Sequence, residues 1–205
     1  MIQVEADGLS KSYGKNRVFS GLSFTASSSV IGVAGRNGAG KSTLLKCIAC
    51  LQKPTSGSVT WKNSTGAEVS PDKIKKMLGY AAPYISLYEE LTVIENLSFL
   101  FDVRNEKNRG HISTVLKRTG AEPFRDSLFG SLSTGQQQRA RLAAAIVHQP
   151  EILFLDEPGS NLDEKGRAVV EDLVNEFRDK KKLLILASNQ AYELSLCDSI
   201  IDLNK

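Results

Sequence analysis

Runs of apolar residues alternate along the chain with stretches in which apolar residues recur at helical spacing. The runs "VIGVAG" (30–35), "EILFLDEP" (151–158) and "LLILAS" (183–188) predict buried strands, and "SIIDL" (199–203) predicts a last one. Helical spacing is found in "KSTLLKCIACL", in "GQQQRARLAAAIVHQ" and in the stretches 91–104, 110–120 and 164–180. Because the strands are apolar runs separated by helices, the pattern predicts a mostly parallel sheet covered on both faces.

Short strands with few helices between them characterise the early part of the chain. "GSVTW" (57–61) and "MLGYAA" (77–82) are predicted strands, and this region is expected to form an antiparallel β annex. No internal repeat or low-complexity linker interrupts the sequence. We therefore predict one α/β domain over residues 1–205, with a helical insertion at about 84–149.

Composition narrows the class of protein without identifying it. The 205 residues are 41% hydrophobic and 24% charged, and a net charge of +3 is too small to indicate nucleic-acid binding. Three cysteines fit a reducing compartment, and Cys47 and Cys50 are expected to be small apolar side chains. No window approaches the about 18 to 20 apolar residues of a membrane span, and the first residues do not resemble a signal peptide. We therefore expect a cytoplasmic protein that reaches a membrane only through a partner.

The sequence "GRNGAGKST" (35–43) directly follows a predicted strand and opens a helix. It fits the phosphate-loop pattern G-x-x-x-x-G-K-[ST] in the context that this motif requires. Glycines let the backbone curve around a polyphosphate, so that its N–H groups and the positive end of the helix point at the anion. Lys41 would reach the β- and γ-phosphates, and the Ser42 hydroxyl would ligate Mg²⁺. The nucleotide-binding residues predicted here are Gly35, Asn37, Gly38, Ala39, Gly40, Lys41, Ser42 and Thr43.

Two adjacent carboxylates, Asp156 and Glu157, come at the end of the apolar run "ILFLDEP". The carboxyl ends of such strands are where α/β sheets bind ligands. Paired carboxylates on a buried strand are costly unless they serve a cation or a proton transfer. Asp156 is predicted to hold Mg²⁺, usually through water, and Glu157 is predicted to act as the general base for attack of water on a γ-phosphate.

Ser133, Gly135 and Gln136 lie in "LSTGQQQR" (132–139), at the start of the long alanine-rich helix. A helix N-terminus opened by serine and glycine can bind an anion. The same residues are also those of an ordinary serine-capped helix. Taken by itself, this stretch favours the ordinary capped helix.

The motifs "GRNGAGKST", "LSTGQQQR", "FLDEP" and "SNLD" (160–163), in this order, make the sequence similar to the ATP-binding cassette (ABC) family over essentially its whole length. The resemblance implies a phosphate-loop NTPase core with a helical subdomain. In that family two cassettes sandwich two ATP molecules, and the signature loop of one closes on the nucleotide of the other. By resemblance, Ser133, Gly135 and Gln136 would contact the opposite subunit's nucleotide, and Asp163 would lie at the dimer seam. Tyr13 would stack on adenine, unless it is a plain edge-strand tyrosine.

The sequence departs from the family pattern at two places. No glutamine occurs between Gln52 and Gln136, and Pro83 or its neighbour stands where the family has a glutamine that helps to hold Mg²⁺. Asn189 in "LASNQ" stands where the family has a histidine that contacts the γ-phosphate. Asn189 can donate an uncharged hydrogen bond to phosphate, or it caps the following helix. A lost charge-assisted bond is worth on the order of 1.5–3 kcal/mol, so a slower ATPase is expected rather than an inactive one.

The resemblance implies an ATP-binding and ATP-hydrolysing subunit of an ABC transporter, with ATP and Mg²⁺ as cofactors. Its expected partners are membrane-spanning permease subunits and a second ABC subunit, identical or different, and its expected place is the inner face of the cell membrane. The short chain also resembles the small haem-exporter type of cytochrome c maturation. The segment "PYISLYEEL" (83–91), with Tyr84, Ile85, Leu87 and Tyr88, is either a groove for a helix of the permease or local packing.

Two other classes remain open at this point. One is an ABC ATPase that acts on nucleic acid or ribosomes, although the tandem cassettes, coiled coils or zinc insertions of those families are not found in the sequence. The other is a weakly hydrolysing, ATP-gated clamp or the degenerate half of a heterodimer. The replacement of the family's glutamine and histidine, at Pro83 and Asn189, is consistent with this class. Turnover by the purified protein separates the second class from the main interpretation.

Overall fold

The computed structural model describes residues 2–27, 30–104 and 111–204 and contains two β-sheets with helices packed against them. The strands are β1 (Gln3–Tyr13), β2 (Asn16–Ser27), β3 (Val30–Ala34), β4 (Ser56–Lys62), β5 (Leu78–Ala81), β6 (Ile152–Asp156), β7 (Leu183–Ser188) and β8 (Ser199–Asp202). The helices are α1 (Lys41–Ile48), α2 (Pro71–Met77), α3 (Val93–Val103), α4 (His111–Arg118), α5 (Thr134–Ile146), α6 (Glu164–Asp179) and α7 (Ala191–Ser195). Short 3₁₀ turns lie at Glu122–Phe124 and Phe129–Ser131.

The larger sheet has the strand order β5-β6-β7-β3-β8, and all four neighbouring pairs are parallel. Successive side chains of its central strands enter different cores. In β6, Ile152 and Phe154 belong to the core that contains α1, and Leu153 and Leu155 belong to the core of α3–α6. Both faces of the strand are therefore buried, which explains why it is a continuous apolar run. The predicted α/β fold with a covered parallel sheet is confirmed.

The smaller sheet is antiparallel, with the order β2-β1-β4, and it is the predicted annex. The prediction that "MLGYAA" belongs to this annex is wrong, because Leu78–Ala81 form β5, which pairs in parallel with β6 in the larger sheet. Its core residues pack in one cluster with Leu44, Leu45 and Ile48 of α1, so α1 is held between the two sheets. Trp61 of β4 is buried, and its Nε1 donates a hydrogen bond to the carbonyl of Ile48 at 2.9 Å. This packing fixes the helix whose N-terminus follows the glycine-rich loop.

Helices α3, α4 and α5 lie within the stretch predicted as a helical insertion, and the division of the chain into domains stays a prediction. Capping boxes define the starts of α3 and α5, since Thr92 pairs with Glu95 and Ser133 pairs with Gln136. The helix predicted from residue 110 begins at His111, and residues 105–110 lie outside the described part of the chain. In that described part, no helix is both long and apolar enough to cross a membrane.

Candidate active site

The carboxyl ends of three neighbouring parallel strands meet at one edge of the larger sheet. Ala34 at the end of β3 pairs with Ser188 at the end of β7, and Asp156 at the end of β6 pairs with Ala187. The glycine-rich loop, the two carboxylates and Asn189 each follow one of these strands. Side chains that are distant in sequence are therefore brought to a single crevice, as open α/β sheets do at their carboxyl edge.

Glycine is required in the loop between β3 and α1 because of its backbone angles and its close contacts. Gly40, the residue before α1, has φ 97°, and a Cβ there would lie 2.4 Å from Cγ1 of Val18. Gly38 has φ 82°. A Cβ on Gly35 would lie 2.9 Å from the Cβ of Ala39, whose N–H donates to the carbonyl of Arg36. Side chains at these positions would disrupt the loop, so its curved backbone, with N–H groups available for an anion, depends on the glycines.

Lys41 is buried at the centre of this loop, with 6% of its surface exposed. Its Nζ donates to the carbonyls of Gly35 at 2.8 Å and Arg36 at 3.3 Å, and it lies 2.9 Å from Oε1 of Glu157. All three N–H donors of the ammonium group thus have acceptors within reach. A phosphate group that enters the loop would compete with the Glu157 carboxylate for this charge.

Asp156 ends β6 and is 1% exposed. Its Oδ2 accepts a hydrogen bond from the Tyr84 hydroxyl at 3.0 Å, and its buried Oδ1 has no partner. Burial raises the pKa of Asp156, while the neighbouring Ser42 and Tyr84 hydroxyls oppose the rise. An unpartnered carboxylate oxygen beside a serine hydroxyl fits a hydrated Mg²⁺, which takes few protein ligands and fills its shell with phosphate oxygens and water. No group of three or more His, Cys, Asp or Glu side chains in residues 2–27, 30–104 and 111–204 offers another metal site.

Glu157 has φ 48°, in the left-handed region that a residue with a side chain seldom adopts. Hydrogen bonds on both sides hold this conformation: its N–H donates to the carbonyl of Ala187 at 2.8 Å, and its carbonyl accepts from the Ser160 hydroxyl at 2.8 Å. Such strain persists where the surroundings over-determine it, often at functional sites. The resulting turn directs the Glu157 carboxylate to Lys41 instead of along the strand.

Asn189 faces the phosphate loop. Its Nδ2 donates to Oδ1 of Asn37 at 2.9 Å. The N-cap of α7 is the next residue, Gln190, and no side-chain hydrogen bond caps that helix. Of the two interpretations that the sequence leaves open, helix capping is not what the structure contains.

Tyr84 makes a contact that the sequence pattern does not predict. As part of "PYISLYEEL" it is expected in an apolar patch, but its hydroxyl lies on Asp156 and 2.6 Å from the hydroxyl of Tyr80. Burial is the largest cause that raises the pKa of Tyr84, so its hydroxyl is protonated and can donate. The only sequence signal is a second tyrosine four positions after the one in β5, and loop residues have no periodicity from which a direction could be inferred.

Ser133, Gly135 and Gln136 lie at the start of α5, where Ser133 and Gln136 form a capping box. A Cβ on Gly135 would lie 2.8 Å from the carbonyl oxygen of Asn161, so this glycine allows the two loops to pack closely. Asp163 caps α6 through the N–H of Gly166 and pairs with Arg139 at 2.5 Å. Within one chain these residues therefore have structural roles, and any role toward a partner's nucleotide is additional.

Tyr13 and Thr43 complete the predicted set. Tyr13 ends β1 with 52% of its surface exposed, and its hydroxyl accepts from Nε2 of Gln52 at 2.5 Å. The exposed ring is accessible for stacking. Thr43 lies half-buried in the first turn of α1.

Glu193 of α7 is a buried carboxylate that the sequence analysis missed. It is 3% exposed, and its Oε1 accepts from the N–H of Gly159 at 2.7 Å. Burial raises its pKa. The contact ties the loop after Glu157 to the helix after Asn189, and a glutamate in a short helix gives no pattern that would predict it.

Comparisons with known proteins agree with this geometry. The family model described as "ABC transporter" matches residues 19–160. The chain is 31% identical over 204 residues to the uncharacterized ABC transporter ATP-binding protein YybJ of Bacillus subtilis, covering 98% of this chain and 92% of that protein. It is 34% identical over 185 residues to the probable multidrug ABC transporter ATP-binding protein YbhF of Escherichia coli, covering 86% of this chain but only 31% of YbhF.

Solved structures show the same fold. A putative ABC transporter ATP-binding protein from Pyrococcus furiosus superposes with a TM-score of 0.81 at 26% identity, covering 98% of this chain and 97% of the other. The cassette MJ0796, in a dimeric post-hydrolysis state bound to ADP and Pi, superposes with a TM-score of 0.85 at 23% identity, covering 97% and 93% of the two chains.

Proposed function

The chain belongs to the ABC transporter family and is an ATPase of that family, and from this premise we propose that it uses Mg-ATP to drive the membrane-spanning permease subunits of a transporter. The family and the class of enzyme predicted from the four motifs are confirmed. The chain spans only about 31% of YbhF but 92% of YybJ. Which other domains or subunits act together with this chain is therefore part of the proposal.

The observation that supports hydrolysis is the placement of Lys41, Asp156 and Glu157 at one sheet edge, with Lys41 Nζ 2.9 Å from Glu157 Oε1. When phosphate oxygens take the Lys41 ammonium, the Glu157 carboxylate loses its partner and can accept a proton from water. Mg²⁺, held by Ser42 and, through water, by Asp156, would neutralise charge on the phosphates. Asn189 would donate its amide hydrogen bond to the γ-phosphate.

A second subunit would complete the site. Ser133 and Thr134 are exposed at the N-terminus of α5, where a phosphate of the opposite subunit's ATP could bind. Gly135, Gln136 and Asp163 accompany them at this surface by resemblance to the family.

A cleft of about 460 Å³ supports the proposed permease contact. Its walls are largely apolar and include Tyr80, Ile85, Leu87, Tyr88, Phe99 and Leu100. Tyr80 in its wall contacts the hydroxyl of Tyr84, which in turn donates to Asp156, so the cleft adjoins the nucleotide crevice. We assign it to a helix of the membrane subunit, which would hold this chain at the inner face of the membrane.

Two measurements test the proposal. Purified protein should release phosphate from ATP in Mg²⁺, and no release above that of Glu157→Gln would favour the ATP-gated clamp, which Pro83 and Asn189 support. In cells that express the permease, Leu87→Arg should move the protein from the membrane fraction to the soluble fraction without changing its own turnover. Retention of that variant in the membrane fraction would contradict the docking site. The resemblance to small haem exporters stays a prediction.

A further inference from the structure

The Tyr84 hydroxyl lies between a buried carboxylate and a second phenol. It is 3.0 Å from Oδ2 of Asp156 and 2.6 Å from the hydroxyl of Tyr80. A phenol has one hydrogen to donate, and an ionised carboxylate can only accept. The hydrogen of Tyr84 therefore points to Asp156, and Tyr80 must donate in the contact between the two tyrosines.

Both aromatic rings are held by neighbours. Nζ of Lys46, on α1, lies 3.9 Å from the centre of the Tyr84 ring, which is a cation–π contact. The Tyr80 ring stacks on Phe154 of β6, with centroids 5.8 Å apart and planes at 12°. Tyr84 is thus fixed through its hydroxyl and through its ring face, although 47% of its surface is exposed.

We propose that Tyr84 is a positioning residue that holds the Asp156 carboxylate in the orientation required to bind hydrated Mg²⁺, a role that rests on the proposed Mg-ATP function. Its hydroxyl engages Oδ2 and leaves the buried Oδ1 as the unpartnered oxygen. Pro83 has no side-chain group that could do this, and the adjacent tyrosine reaches the carboxylate from the same loop.

Calorimetric titration of ATP, in Mg²⁺ and in EDTA, tests the proposal without relying on turnover. Tyr84→Phe keeps the ring and removes the hydroxyl. We expect its ATP affinity in EDTA to equal that of the wild type. The Mg²⁺ gain, defined as the factor by which Mg²⁺ increases ATP affinity over that in EDTA, should fall by about tenfold, the order of one hydrogen bond to a charged group. Tyr80→Phe should cause a smaller loss of the same sign, because it removes only the donor to Tyr84.

Tyr192→Phe is the matched control. The Tyr192 hydroxyl also donates to a carboxylate, Glu171 Oε2 at 2.6 Å, but on the exposed surface of α7. Its Mg²⁺ gain should equal that of the wild type. A full Mg²⁺ gain in Tyr84→Phe would overturn the role of Tyr84 alone. Equal affinities of the wild type in Mg²⁺ and EDTA would overturn the magnesium site and, with it, this role.

Discussion

Asn189 donates a hydrogen bond from Nδ2 to Oδ1 of Asn37, so the residue after β7 is joined directly to the phosphate loop. The two residues are 152 positions apart in sequence and meet because β3 and β7 are parallel neighbours. This contact is the starting point for the first prediction.

Asn189→His should raise ATP turnover, because an imidazole reaches further and, when protonated, donates a charge-assisted bond to the γ-phosphate. The gain is at most about ten- to a hundredfold, from a bond of ~1.5–3 kcal/mol. Asn189→Ala should lower turnover with little change in melting temperature. Gln190→Ala, at the N-cap without a side-chain bond, is the control for the helix. A drop in melting temperature with unchanged turnover in Asn189→Ala would remove Asn189 from the site.

Lys41→Ala should weaken ATP binding by more than about a hundredfold, since the ammonium provides charge-assisted bonds to two phosphates. Calorimetry measures the affinity directly. Lys73→Ala removes an exposed lysine of α2 and should bind ATP as the wild type does. Wild-type affinity in Lys41→Ala would contradict the phosphate-loop assignment.

Glu157→Gln should bind ATP, lose turnover and accumulate as a dimer in Mg-ATP. The amide cannot accept the proton of the attacking water, and it carries no charge to oppose closure around the triphosphate. We also expect tighter ATP binding, because Lys41 loses its ionic partner. Sedimentation velocity and phosphate release are the measurements, with the exposed Glu68→Gln as control. A monomeric variant with wild-type turnover would refute both the base and the sandwich.

His148 should make stability depend on pH. Burial lowers its pKa from 6.5 to about 4, and Nε2 contacts the carbonyl of Leu78 at 3.1 Å. The folded pKa lies below the unfolded one, so the neutral ring contributes stability above pH 6.5 that is lost as pH falls through about 4. Between pH 7.5 and 5 the loss is up to about 2 kcal/mol.

Urea unfolding of the wild type and His148→Gln at the two pH values measures this contribution. The variant should lose less stability on acidification than the wild type does. His111→Gln, at a less deeply buried histidine, should resemble the wild type more closely. Equal acid sensitivity of His148→Gln and the wild type would show that the ring is not held neutral by the fold.

The sequence predicts the parallel sheet and the phosphate loop because both leave periodic or spaced signals. Leu153 and Leu155 enter one core and Ile152 and Phe154 the other, and this double burial is visible as an apolar run. The short helix α2 was missed, since its seven residues bury only Ile74. A helix with one buried side chain has no detectable apolar stripe.

The two site contacts that sequence could not provide depend on tertiary packing. Whether Asn189 caps α7 or meets Asn37 is decided by the pairing of β7 with β3. Whether the Tyr84 hydroxyl contacts Asp156 depends on the course of its loop, in which the Tyr84 ring packs against Lys46. Neither contact can be predicted from the spacing of residues along the chain.

The Lys41–Glu157 pair sets a carboxylate of the protein in competition with phosphate for one ammonium group. A carboxylate attached to the same fold is present at a high effective concentration, so ATP must displace it rather than enter a free cationic loop. The cost is a weaker apparent affinity. The pair also sets the order of events, because the Glu157 carboxylate becomes available to the attacking water only after a phosphate has replaced it at Lys41.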